Sequence, residues 1–403
     1  MSPQRSVLKT GVISCVVAAG IAGTVAGAPS AKATPGLAVS SIATGLSHPW
    51  DIVTAPDGTA LVTERAGRFV AIRPGQAPKA VRADLSALWV HREAGLMGLA
   101  VDPGFAQNRR IYSCQAEKAG TESSVAQGAK IPQGVGSVPL PWPNTGQQVT
   151  VASWRVSQDW SSMQRERTVL AGIPLNAGGR HAGCGLAAAS DGTLWIGTGD
   201  NATAGYPQSR QSLGGKVLHV KAATGRPAAG NPDPASPIAT LGHRNVQGIA
   251  VQPGSGRVYS IEQGTSVDDE LNLIRPGANY GYRPDRAPVI YDESVPMTDP
   301  TRVPGAVGPI WKSGNPTIAT PALQFLPSSG WGDWNGAVVI AAQKAEKLVV
   351  VKLDDSGTRV VHVDEALSDR YGRLRALAVD RDGSLLVGTD TGTDQILRIR
   401  PGA

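Results

Sequence analysis

Apolar positions along this chain fall in short runs of about four to six residues, each ended by a turn signal and answered by a second run. Trp50-Asp51-Ile52-Val53 leads to Pro56-Asp57-Gly58, then to Ala60-Leu61-Val62, and closes on Thr63-Glu64-Arg65. The same order recurs at Gly185-Leu186-Ala187, Ser190-Asp191-Gly192, Leu194-Trp195-Ile196 and Thr198-Gly199-Asp200. It recurs again from Gly248 to Gln263 and from Leu377 to Asp390. Two looser copies fit between, Gly98-Leu99-Ala100-Val101 with Ile111-Tyr112-Ser113, and Leu323-Gln324-Phe325 with Val338-Val339-Ile340. In each clear copy a glycine supplies the positive φ that a two-residue hairpin turn needs. A third strand often follows, as at 67–72, 216–220 and 395–399. Six such units predict an all-β fold, a six-bladed β-propeller of four-stranded antiparallel blades. A β-sandwich would use the same strands but would not explain the repeated order.

In a propeller the first strand of each blade lines the central channel, so the residues just before these strands converge at one mouth. In order they are His91-Arg92-Glu93, Gly179-Arg180-His181, His243-Arg244-Asn245-Val246-Gln247 and Arg373-Leu374-Arg375. So many His, Arg and Glu side chains at equivalent points mark a candidate site. Segments 120–148 and 281–318 interrupt the repeat, are rich in Gly, Pro and Ser, and read as long loops on its rim.

The N-terminus has a different pattern. Arg5 and Lys9 precede an apolar, small-residue run from Val12 to Ala28, and Ala31-Lys32-Ala33 fits a small-x-small cleavage site. Residues 1–33 therefore read as a secretory signal peptide, with a retained membrane anchor as the other reading. Residues 34–403 then form one propeller domain, secreted or exposed on the cell envelope, with no further segment fit to span a membrane. Cleavage removes Arg5, Lys9 and Lys32 and no acid, so the formal charge falls from +6 to +3. So small an excess, without a Lys/Arg block, argues against a nucleic-acid partner. Cys114 and Cys184 are the cysteines left, and an oxidising compartment favours their pairing over two buried thiols.

Six motifs then carry a resemblance. They are HPWDIVTAPDGTALVTERAGR (48–68), EAGLMGLAVDPGF (93–105), RHAGCGLAAASDGTLWIGTGDN (180–201), GHRNVQGIAVQP (242–253), EQGTSVDDELNLIRPGANYG (262–281) and GRLRALAVDRDG (372–383). Over roughly residues 42–401 the chain resembles the soluble quinoprotein glucose dehydrogenase and aldose sugar dehydrogenase family. Its members oxidise sugars with pyrroloquinoline quinone (PQQ) and Ca²⁺.

The resemblance implies that His181 is a general base for the C1 hydroxyl of a sugar, whose C1 hydride passes to the quinone to leave a lactone. It implies that Arg244, Asn245 and Gln247 contact the quinone, Arg244 steadying the negative charge that develops there. Lys344, Arg373 and Arg375 would clamp the cofactor's carboxylates, and strand alternation would put both arginines on one face. Glu262-Gln263-Gly264-Thr265 matches a loop that holds a catalytic Ca²⁺ through backbone carbonyls, notably at Gly264 and Thr265. Asp269, Glu270 and Tyr280, beside Glu262 and Gln263, match a second calcium cluster. Arg180 stands where the glucose enzyme has a substrate-holding acid, and Glu93 where it has Gln, so both bear on substrate choice. Ala376 replaces the acid that follows the second arginine. Trp311, in a rim loop, would cover a sugar ring. The expected partners are a sugar and an electron acceptor of unspecified kind.

Two other functions stay open at this level. One is a non-enzymatic propeller that binds a glycan or protein on the same face. The other is a metal-dependent hydrolase such as a lactonase. It would need side-chain carboxylates around a metal, where this sequence offers mostly Arg, His and amides.

Overall fold

A computed structural model of the chain describes residues 36–118, 146–287 and 290–402. The predicted signal segment and most of the 120–148 insertion lie outside these residues. The fold is a six-bladed β-propeller of four-stranded antiparallel sheets. The inner strands are Pro49–Thr54, Leu96–Val101, Gly183–Ala188, Val246–Val251, Leu323–Phe325 and Leu374–Val379. Blades one to five then run outward in chain order. The sixth takes its outer strand from the other end of the chain: Leu37–Leu46 pairs antiparallel with Asp394–Pro401. The repeat had not announced this closing strand.

The hairpin turns differ from the expectation in one respect. In the first blade Ala55 O accepts the Gly58 N–H at 2.9 Å, and Ala55 N donates to Thr59 O. The turn is therefore longer than two residues, a tight turn followed by glycine in the left-handed region (Gly58 φ 82°, Gly192 φ 80°, Gly383 φ 80°). The aspartate earns its place by accepting the N–H two residues on, Asp57 from Thr59, Asp191 from Thr193 and Asp382 from Ser384, each at 3.0 Å.

Apolar clusters fill the spaces between neighbouring blades all the way round. Phe69 and Leu61 meet Trp154 and Leu96; Tyr112 and Val151 meet Leu186 and Ile196; Trp195 and Val217 meet Ile249 and Val258. Tyr259 and Leu271 meet Phe325 and Val349; Val350 and Trp334 meet Leu377 and Leu397; Ala376 and Leu386 close on Ile52 and Val62. Cys114 and Cys184 form a disulfide, which ties the second strand of blade two to the inner strand of blade three. The inner strands surround a central cavity of about 270 Å³, as a propeller channel requires.

Candidate active site

Five of the six inner strands lose register in their first residues. The breaks fall between Pro49 and Asp51, Leu96 and Leu99, Gly183 and Leu186, Val246 and Gly248, and Leu374 and Ala376. An extra residue at such a break turns a side chain away from the blade-to-blade packing. Trp50, Gln247 and Arg375 hold equivalent places in these breaks, and the Arg375 guanidinium lies 4.5 Å from the Trp50 ring centre. At the mouth a cavity of about 250 Å³ is lined by Glu93, Arg180, His181 and Arg244. The loop Gln263-Gly264-Thr265, Asp269, Thr317 and Ala319 complete its wall.

His181 is 3% exposed and has φ 52°, a conformation uncommon for a residue with a Cβ. Its Nδ1 lies 2.7 Å from Asp200 Oδ1. With the proton of the neutral ring on Nδ1, the Nε2 lone pair is free, 3.9 Å from Glu293 Oε1. Close backbone approach makes the pair possible. A Cβ on Gly199 would fall 1.7 Å from the His181 carbonyl oxygen, so only glycine lets the end of the second strand come this close to His181. The other oxygen of Asp200 accepts from Tyr291 Oη at 2.7 Å, and Tyr282 Oη donates to Tyr291 Oη at 3.1 Å. Burial, and then the charge of Asp200, push Tyr291 well above the usual phenol range, so it stays a donor.

Glu93 knits three elements together. It accepts from the His181 backbone N–H at 3.0 Å, Asn245 Nδ2 at 3.2 Å and Gln247 Nε2 at 3.3 Å. Asn245 Oδ1 in turn accepts the Gly183 N–H at 3.0 Å, and Gln263 Nε2 donates to Gln247 Oε1 at 3.3 Å. Arg244 donates to Gln263 O at 3.0 Å and to Glu293 Oε1 at 2.9 Å, while Arg180 donates to the same Glu293 oxygen at 2.8 Å. Asp200, Tyr282, Tyr291 and Glu293 join the site without being among the residues expected from the sequence. Asp200 ends a motif already singled out, but only blade pairing sets it against His181. The others come from the 281–318 insertion, which has no repeat to align.

The cations expected to hold the cofactor differ in exposure. Lys344, in the turn after Val338–Ala342, and Arg373 are exposed and have no acid partner among the described residues. Arg375 is buried at 8% exposure, whereas Arg373 is exposed. Arg373 precedes the strand, and the register break at Leu374–Ala376 ends the alternation expected to put both arginines on one face. Asp390 replaces the acid missing at Ala376: its carboxylate lies 4.0 Å from Arg375 and 2.6 Å from His48 Nδ1. Burial nevertheless pulls Arg375 down to about 10, against the opposing charge of Asp390. Arg244 Nε and Arg375 Nε are both buried without a partner. Two guanidinium donors and two exposed cations without partners among the described residues have the chemistry to hold a polycarboxylate such as PQQ.

The acids matched to calcium are engaged by the protein itself. Glu262 accepts from His243 Nδ1, Asn272 Nδ2 and the Arg244 N–H. Asp269 accepts the N–H groups of Gly264, Ile318 and Ala319, so it braces the Gly264-Thr265 loop against the far wall. Glu270 accepts from Thr298 Oγ1, and burial followed by Glu262 raises its carboxyl well above the usual range. Tyr280 Oη donates to Leu273 O, and its ring stacks on His243 at 4.6 Å. Among the described residues the one group with metal-ligand spacing is His48, Asp390 and Asp394, and Asp394 already accepts from His48, Thr391 and Gly392. Trp311 is outside the His181 cavity. It forms the outer strand Trp311–Lys312 of blade four and packs beside Leu271, with one side on a separate pocket next to Glu270.

The chain is similar in sequence and fold to known proteins. The sequence profile described as Glucose / Sorbosone dehydrogenase matches residues 46–398. Aldose sugar dehydrogenase YliI of Escherichia coli is 28% identical over 372 residues, which cover 88% of this chain and 91% of that protein. The crystal structure of the soluble E. coli aldose sugar dehydrogenase in its apo form superposes with a TM-score of 0.75 at 25% identity, over 91% of this chain and 100% of that one. The PQQ-bound aldose sugar dehydrogenase of Streptomyces coelicolor superposes with a TM-score of 0.70 at 26% identity, over 91% and 98%. The profile spans every blade and both halves of the His181–Asp200 pair, and the chain belongs to the glucose/sorbosone dehydrogenase family.

Proposed function

We propose that this protein is an exported, PQQ-dependent dehydrogenase that oxidises aldose-type sugars at C1 to lactones. The observation that carries the reading is the buried His181–Asp200 pair, which opens on a cavity lined by the Arg180 and Arg244 guanidinium groups. The bound quinone would supply the hydride acceptor. Arg244, Asn245 and Gln247 would hold it on one side, and Lys344, Arg373 and Arg375 would neutralise its carboxylates. Ca²⁺ on the carbonyl oxygens of Gly264 and Thr265 would add Lewis-acid polarisation.

His181 Nε2 takes the proton of the substrate hydroxyl, and Asp200 stabilises the imidazolium that results. Tyr291 and the Ala202 N–H keep Asp200 in place by filling its remaining acceptor sites. Glu93 fixes the His181 backbone against the Asn245 and Gln247 side chains, so base and cofactor contacts share one anchor. Export is supported by the Cys114–Cys184 disulfide and the signal-like first 33 residues; among the described residues no helix is long and apolar enough to cross a membrane.

A purely ligand-binding propeller would have no use for an oriented His–Asp pair. A metal hydrolase is disfavoured because Glu93, Glu262 and Asp269 are already filled by protein donors. The test is reconstitution with PQQ and Ca²⁺, followed by dye reduction over a panel of aldoses, ketoses and alcohols. Aldose-dependent reduction that needs both additions is expected. Equal rates with and without PQQ would overturn the reading.

A further inference from the structure

The 281–318 insertion sends two side chains to opposite sides of the His181 ring. Its two-stranded ribbon pairs Asp285–Ala287 with Ile290–Tyr291. Tyr291 is tied to Asp200 behind Nδ1, and this anchors the ribbon to the base. Two residues on, Glu293 reaches the front of the ring. Its Oε1 accepts from both Arg180 and Arg244 and lies 3.9 Å from His181 Nε2. Among the described residues Oε2 receives no bond, and the side chain is 41% exposed. Although burial acts the other way, Arg244 and Arg180 hold its carboxyl below the ordinary range.

The result is an ionised carboxylate with one free oxygen, steadied by two cations, a few ångströms from the atom that receives the substrate proton. Vicinal hydroxyls on a sugar ring are close enough for one to reach Nε2 while its neighbour donates to such a carboxylate. We propose that Glu293 is a specificity-determining residue: it accepts the hydroxyl next to the oxidised carbon, and Arg180 fixes the carboxylate for that task. This rests on the dehydrogenase reading above. Sugars that lack that hydroxyl, or carry a carboxylate there, are then poor substrates. A hydrogen bond to a charged group is worth about ten- to hundredfold in such discrimination.

The test measures kcat/KM of the PQQ- and Ca²⁺-loaded protein for glucose against 2-deoxyglucose and for galactose against 2-deoxygalactose. Wild type should prefer the 2-hydroxy sugar of each pair by about ten- to hundredfold. Glu293→Ala should bring the ratio close to one, mainly by raising KM for the 2-hydroxy sugar. Arg180→Gln, which keeps the carboxylate but loosens it, should give an intermediate ratio and serves if Glu293→Ala does not fold by circular dichroism. Equal losses on both sugars of a pair, with the wild-type ratio intact, would overturn the proposal and leave the dehydrogenase reading standing. Absence of turnover by wild type with any sugar would bring down both.

Discussion

His181 is held by its backbone, which Glu93 fixes from one blade, and by its ring, which Asp200 fixes from another. Two substitutions separate chemistry from support. His181→Ala removes the base and should lower kcat by about 10²- to 10⁴-fold, with PQQ uptake by absorbance retained. Asp200→Asn should lower kcat by a similar order through the wrong tautomer, with KM changed less. Retention of more than a tenth of wild-type kcat by either variant would contradict these roles. Asp51 offers a pH test. Burial pushes its carboxyl up to about 7, despite the N–H bonds from Leu99 and Ile52. The folded chain therefore keeps a proton that the unfolded chain has lost above about pH 4. Stability should fall as pH rises through that window. Asp51→Asn should flatten the urea-unfolding profile between pH 4 and 7, and an unchanged slope would remove Asp51 as its source. At this scale His181 and Arg244 were legible from motif and position. Glu293 was not, because its place depends on a ribbon that no repeat predicts.

Individual strands account for the next level. The repeat was legible because each Asp-Gly turn needs both a side-chain acceptor and a left-handed residue, which few sequences supply. Register breaks at the channel mouth were hidden, since alternation assumes an unbroken pleat and an extra residue reverses it. Arg373 and Arg375, expected on one face by alternation, stand at one such break, the first exposed and the second buried. The closing strand Leu37–Leu46 was hidden as well: it is an outer strand with few buried positions, Ala43 and Leu46 among them. Deleting residues 36–46 exposes the edge of Asp394–Pro401 and leaves blade six with three strands. The truncated protein should lose its sharp thermal transition and aggregate; an unaltered transition would show that closure is unimportant. The disulfide spans a separation of 70 residues. Cys114→Ser with Cys184→Ser should therefore lower the urea unfolding free energy by about 2–4 kcal/mol. No measurable loss would mean that the blade packing alone holds this joint.

Across the whole ring, the residues proposed to act together come from blades two, three, four and six, joined by the insertion in blade four. Glu93 belongs to the first of these, His181 and Asp200 to the second, Arg244 to the third and Arg375 to the last. No single blade carries the cavity, so the propeller must close before His181, Arg180, Arg244 and the Gly264-Thr265 loop face one another across it. The family profile runs across the same span, from residue 46 to 398. In the proposed reaction His181 in this assembled ring takes a proton while a sugar reduces bound PQQ. Its most direct test is an anaerobic single turnover, in which an aldose is mixed with PQQ- and Ca²⁺-loaded protein and the quinone absorbance is followed without any dye. Stoichiometric quinone reduction with one lactone per site is expected, slowed by His181→Ala. An oxidised quinone spectrum that stays unchanged at saturating sugar would contradict it.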